Sequence, residues 1–304
     1  MEIEIGIAKS GRRAYGFDDI AIVPSRRTRD PKDVDISWEI DAYRFDLPLV
    51  AAGMDSVTSP ATAIGIGRLG GLGVLNLEGL WTRYEDPAPR FEEIAALSAE
   101  DATARMQDIY SAPVQPDLIG RRIEEIRSAG VITAASLTPP HVAQYAPMVK
   151  DAGLDILVIQ GTVVSAEHVS SRTEPLDLYQ FIADIEMPVI VGGCASYSTA
   201  LHLMRTGAVG VLVGVGPGAA CTTRGVLGIG VPQATAIADA AGARIRYLQE
   251  TGRYVHVIAD GGMRTGGDIA KAIAVGADAV MLGSPLAAAA EAPAHGYHWG
   301  MATF

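Results

Sequence analysis

Eight times along the chain, a short β-branched run ends in glycine or a small polar residue and gives way to an amphipathic helical pattern. The runs are Leu47–Ala52, Leu72–Leu75, Val131–Ser136, Asp155–Gln160, Pro188–Gly192, Val209–Val213, Val255–Ala259 and Ala279–Leu282. Several are continuously apolar, as strands buried on both faces of a parallel sheet must be. Helical patterns over 117–129, 138–152, 198–206, 233–251 and 267–275 separate them, four ending at Gly130, Gly207, Gly252 and Gly276. Strands and helices in alternation predict a parallel sheet, and eight repeats predict its closure into a (β/α)8 TIM barrel. The length of 304 residues suits a single catalytic barrel domain over 1–304.

Some stretches depart from the repeat. Residues 1–46 form an N-terminal extension expected to cover the barrel's bottom. Residues 78–116, with Pro87, Pro89, Pro113 and Pro116, read as a connector of one helix flanked by loops. After the last strand only 285–292 could be helical, so the eighth helix is expected to be short or missing. Gly65-Ile-Gly67-Arg-Leu-Gly70 spells a dinucleotide fingerprint but lies in a helical pattern, away from a strand end, and is set aside.

The net charge of −11 makes nucleic acid and anionic membranes poor partners. An anionic ligand must therefore be held locally, by backbone amides. No uninterrupted apolar stretch is long enough for a membrane span. The acidic first residues carry no secretory signal, so a cytoplasmic location is expected. The two cysteines, Cys194 and Cys221, are expected to be free thiols.

In such a barrel the reactive groups sit on loops after the strands. The loop after the sixth strand reads Gly214-Val-Gly216-Pro-Gly218-Ala-Ala-Cys221-Thr-Thr223-Arg224. A thiol on a polar loop near a cation, here Arg224, can ionise and attack. Cys194, at the end of the fifth strand, reads as inert packing. The loops Asp260-Gly261-Gly262-Met263-Arg264 and Leu282-Gly283-Ser284-Pro285 follow the seventh and eighth strands, where phosphate sites recur. Either alone would read as a tight turn; together they favour phosphate. Asp260, of the wrong charge for phosphate, suits sugar hydroxyls. His295 and His298 lack a third partner at metal-ligand spacing and read as loop histidines.

These motifs, with Tyr15–Ser25, Ala52-Gly-Met-Asp-Ser-Val57 and Gly228-Ile-Gly-Val-Pro-Gln233, resemble the IMP dehydrogenase / GMP reductase family over nearly the whole length. The resemblance implies that Cys221 attacks purine C2 of IMP, that hydride leaves to NAD, and that the adduct is hydrolysed to XMP. In a reductase the same cysteine would expel ammonia from GMP, with NADPH as donor. It implies proton handling by Thr223, base packing by Met54, a ribose held by Asp260, and nucleotide contacts from Gly261, Gly262, Gly283, Ser284, Gly300 and Met301. Gln160, Gly214 and Gly216 would face the cofactor, and the carbonyls of Gly216, Gly218 and Cys221 would hold potassium. A homotetramer is implied as well.

Gln160 replaces a usual Asp, Gly193 an Asn and Ala219 a Ser, and Gly300-Met301-Ala302-Thr303 replaces Gly-Met-Gly-Ser. In the family the flap with its Arg-Tyr pair and the eighth helix follow the point where this chain stops, so a truncated chain is expected. The connector leaves no room for the regulatory CBS pair. Gly230-Val231-Pro232-Gln233 favours a compact, CBS-less dehydrogenase. The missing CBS pair and Glu291 suit a reductase, and Gln160, Gly193 and the lost flap a binding relative without turnover.

Overall fold

The computed structural model describes residues 2–98, 100–165 and 175–300. Met301, Ala302 and Thr303, expected at or beside the nucleotide, lie outside them. Two antiparallel hairpins come first, β1 (Glu2–Gly6) with β2 (Lys9–Arg12) and β3 (Trp38–Ile40) with β4 (Tyr43–Phe45). The eight remaining strands are β5 (Leu49–Ala51), β6 (Leu72–Asn76), β7 (Ala134–Leu137), β8 (Ile156–Gln160), β9 (Val189–Cys194), β10 (Gly210–Val213), β11 (His256–Asp260) and β12 (Ala279–Leu282). All pair in parallel and close a barrel in chain order, β12 returning to β5. This is the (β/α)8 TIM barrel that the repeat predicts.

The eight strands coincide with the eight apolar runs, with shifted ends. β7 begins three residues later than expected. The backbone amide and hydroxyl of Thr133 both donate to the Asp155 carboxylate at 2.8 Å instead of entering the sheet. Along each strand alternate side chains face opposite ways. Val50, Leu72, Val74, Ile156, Val158, Ile190, Leu212, Ile258 and Met281 fill the interior. Their neighbours Leu75, Leu157, Ile159, Val211, Val257 and Val280 face the helix layer. This is why the strands read as continuous apolar runs.

The helices are α1 (Pro60–Arg68), α2 (Leu80–Arg83), α3 (Ala88–Ala95), α4 (Ala102–Tyr110), α5 (Pro116–Arg127), α6 (Pro139–Asp151), α7 (Leu178–Ile185), α8 (Tyr197–Arg205), α9 (Thr223–Leu227), α10 (Gln233–Thr251), α11 (Gly266–Ala274) and α12 (Ser284–Ala287). Residues 65–67 of the discarded fingerprint lie inside α1. The 78–116 connector holds three short helices rather than one. Pro87 separates the first two and Pro113 follows the third, and Leu80, Phe91, Met106, Ile109 and Tyr110 still bury a small core of their own. After β12 the described residues hold the single turn α12, shorter than the 285–292 expected.

Among the described residues, the second hairpin covers the bottom. Trp38, Ile40 and Phe45 join the barrel interior, the Trp38 ring meets His256 at 5.8 Å, and the Tyr43 hydroxyl donates to Asp155 at 3.2 Å. Residues 12–17 instead run along the flank. Arg12 pairs with Asp239 on α10 at 2.9 Å, and Lys271 on α11 donates to the Phe17 carbonyl at 2.8 Å. With the N-terminal strand ends plugged, the C-terminal ends form the open mouth. Among the described residues, no helix is long and apolar enough to cross a membrane.

Candidate active site

A cavity of about 380 Å³ opens at this mouth, within the usual range of ligand pockets. Its wall draws on the loops after β5, β8, β10, β11 and β12 and on the segment at 298–300. Met54, Gln160, Gly214, Gly216, Gly218, Cys221, Thr223, Asp260, Gly261, Gly262, Gly283, Ser284 and Gly300 all line it. Every expected site residue that the structure describes therefore reaches one cavity. They come from positions 54 to 300 because barrel closure gathers the strand ends.

Cys221 is exposed, and its thiol lies 3.2 Å from the Thr223 hydroxyl. Cys194 is its opposite: buried at the end of β9, donating to the Leu212 carbonyl, and pushed up by burial to about 12. Arg224 differs from expectation. Its guanidinium donates to the carbonyls of Val215 at 3.1 Å and Val231 at 2.6 Å, so it staples the loop's ends together. Gln233, at the start of α10, makes a second brace. Its amide nitrogen donates to the carbonyls of Val213 (2.6 Å) and Asp260 (3.1 Å) and so ties the cysteine loop to the Asp260 loop.

Asp260 stands half-buried at the end of β11, its carboxylate accepting from Gln160 at 3.1 Å. Burial pushes this carboxyl up to about 7. Gly261 and Gly262 follow with φ of +76° and +80°, a left-handed path that side chains resist. It folds the chain back under Pro217 of the cysteine loop, which lies 3.1 Å from where a Gly262 Cβ would stand. Across the cavity the Met54 thioether rests on Gly283.

His298 was missed as a site residue. It lines the cavity, and its Nε2 lies 2.9 Å from the Ser284 hydroxyl. The signal lay in its place two residues before Gly300, yet only the tail's path across the mouth brings it to Ser284. Gln160 also has a closer partner than a cofactor, since it bridges to Asp260, while its carbonyl oxygen has no partner among the described residues. Among the described residues, no group of three or more His, Cys, Asp and Glu side chains could hold a metal ion.

Beside the cavity, Asp55 is buried and accepts hydrogen bonds from the Tyr110 hydroxyl (2.6 Å) and the Leu80 amide (3.0 Å). Burial outweighs these donors and the nearby Arg83, raising its carboxyl to about 6. Two carboxyls thus bind protons in the folded state that the unfolded chain has released near pH 4. The folded state holds more protons between about pH 4 and 7, so stability falls as pH rises through this window. His256, lowered chiefly by its own burial, acts the other way. The clean test is therefore a difference. Relative to wild type, Asp55→Asn should lose about 1.4 kcal/mol of the pH dependence between about pH 5 and 8, measured by urea unfolding. An identical pH dependence in the two proteins would refute it.

Comparison with known proteins agrees with this arrangement. A family model described as the IMP dehydrogenase / GMP reductase domain matches residues 14–301. The chain is 53% identical to an uncharacterized oxidoreductase of Mycobacterium tuberculosis, over 98% of this chain and 81% of the relative. It is 28% identical to the inosine-5'-monophosphate dehydrogenase of Methanocaldococcus jannaschii, over 93% of this chain and 73% of that protein. Among solved structures, an IMP dehydrogenase/GMP reductase-like protein from Corynebacterium glutamicum superposes with a TM-score of 0.93 at 50% identity, covering 98% of this chain and 80% of that one. With the cysteine loop, the Asp260 loop and the Gly283-Ser284 turn around one barrel mouth, the chain belongs to the IMP dehydrogenase / GMP reductase family.

Proposed function

We propose that this family oxidoreductase acts as a compact, CBS-less IMP dehydrogenase that oxidises IMP to XMP through a covalent adduct on Cys221. The observation that carries the reading is the shared cavity: an exposed thiol 3.2 Å from a hydroxyl, facing a carboxylate and two glycine turns. Each part suits one portion of a purine nucleotide. The Asp260 carboxylate is acceptor-only when ionised, which matches a ribose diol. Gly262, Gly283 and Ser284 offer amides and a hydroxyl to a phosphate in a chain whose overall charge repels one, with Gly261 shaping the turn beside them. Met54 supplies an apolar surface for the base, and Gly300 and Met301 complete the nucleotide's contacts in this proposal.

Cys221 forms the bond to purine C2, and the Thr223 hydroxyl, which accepts the thiol's hydrogen bond, relays its proton onward as the S–C bond forms. Splitting the oxidation into attack and hydrolysis lowers each barrier. NAD, when bound, takes up the C2 hydride. Gln160, Gly214 and Gly216 would border it, and the partnerless carbonyl oxygen of Gln160 fits a ligand's amide or hydroxyl donor. For potassium, the carbonyls of Gly216, Gly218 and Cys221 are oxygen donors on one loop. The Gly218 oxygen already accepts from the Cys221 amide at 3.1 Å and keeps a second lone pair. The same proposal places the enzyme in the cytoplasm as a homotetramer, with neither nucleic acid nor membrane as a partner.

The deciding assay offers the protein IMP with NAD and, separately, GMP with NADPH, and follows the absorbance of the reduced cofactor. NAD reduction that depends on IMP is expected. NADPH oxidation that depends on GMP alone would reassign the chain as a reductase. Silence in both, with IMP still raising the melting temperature, would make it a nucleotide-binding relative without turnover.

A further inference from the structure

Residues 298 and 299 look in opposite directions. His298 faces the cavity and meets Ser284, while Trp299 turns away into the 80–110 helices. There the Trp299 indole N–H donates to the Tyr110 hydroxyl at 2.8 Å, and that hydroxyl donates to Asp55 at 2.6 Å. The Trp299 ring also meets Phe91 of α3 at 6.1 Å between centroids. Ala294, earlier in the same segment, is buried with Leu80, Phe91, Met106, Ile109 and Tyr110. Asp55 directly follows Met54, which lines the cavity and rests on Gly283. A directional chain of hydrogen bonds thus joins the two walls of the site from behind.

We propose that Tyr110 and Trp299 are positioning residues for nucleotide binding. They link the 55 turn to the 294–300 segment, so that His298 and Gly300 stand against Ser284 and complete the cavity. The inference rests on the nucleotide reading for its ligand. It assigns the 80–110 helices a mechanical part in substrate binding, although none of their described residues lines the cavity.

The physical case rests on the cost of breaking the chain. Tyr110 is 4% exposed and Asp55 3%, so water cannot replace a lost partner at either group. One phenol oxygen serves both neighbours, and removing it leaves the indole N–H without its acceptor and takes from the Asp55 carboxylate one of its two donors. The ring itself can stay, since Phe fills nearly the same volume.

The test compares wild type with Tyr110→Phe and Trp299→Phe in the full chain. Hydrogen exchange should quicken in the peptide covering 288–300, while the barrel strands keep their protection. The Kd and KM for IMP should rise about ten-fold, the effect of one unpaired buried polar group, with kcat changed less than about two-fold. The double variant should lose no more than either single one, because both cut the same chain. Unchanged exchange in 288–300, or faster exchange with unchanged IMP affinity, overturns the proposal. So does an equal fall in kcat with KM constant. If wild type binds neither IMP, GMP nor XMP, the nucleotide reading fails, and the exchange measurement alone still decides whether Tyr110 holds the segment.

Discussion

Cys221→Ala is expected to abolish turnover, by about 10³-fold or more, while IMP affinity stays within about two-fold of wild type. The thiol is exposed and donates to the Thr223 hydroxyl, so its loss costs Thr223 one weak sulfur hydrogen bond and is expected to leave the fold intact. Binding falls to other parts of the cavity, namely Asp260, the Gly261-Gly262 turn and the Gly283-Ser284 turn. Attack on C2 has no substitute, because Cys194 lies buried with its thiol pushed up to about 12. Steady-state kinetics and calorimetry with IMP separate the two effects. Activity in the alanine variant at more than about a tenth of wild type would remove Cys221 from the mechanism. Cys194→Ala serves as the control, expected to cost stability and spare the chemistry.

Gly214→Ala should damage both fold and catalysis. A Cβ at 214 would stand 2.2 Å from the Asp260 carbonyl oxygen and 3.2 Å from the Gln233 amide nitrogen. Neither can yield cheaply. The carbonyl belongs to the backbone of β11, and Gln233 is buried while bracing Val213 and Asp260. The ends of β10 and β11 must therefore separate, at a cost of about 3 kcal/mol or more. That movement carries Cys221 away from Asp260, and a displacement of about 1 Å at a reacting group can cost about 10²-fold in rate. Melting temperature and kcat/KM for IMP should fall together. A variant with wild-type melting and wild-type kcat/KM would show that the strand ends have slack.

The same crowding explains a departure visible in the sequence. Gly193, where the family has a familiar Asn, lies opposite Gly214. A Cβ at 193 would come within 2.4 Å of the Gly214 carbonyl oxygen. The ends of β9, β10 and β11 are thus packed backbone to backbone, and the small residue is a condition of that approach in this chain.

Arg224 and the connector mark where reading along the chain reached its limit. Sequence proximity put a cation beside the thiol, but the guanidinium is drawn to two carbonyls of its own loop. The connector read as one helix because its proline breaks are local, whereas its packing on Ala294 and Trp299 is not.

By itself the sequence determined the eightfold alternation, hence the barrel, and the reactive loops at the strand ends. Both are local properties: a buried parallel strand needs an apolar run, and a tight turn needs glycine. Tertiary structure decided what faces what. His298 meets Ser284 across 14 positions and Asp55 meets Tyr110 across 55, while Gln160 meets Asp260 across 100. Those pairings depend on how barrel closure and the returning tail bring distant segments together, and no periodicity within a segment records them.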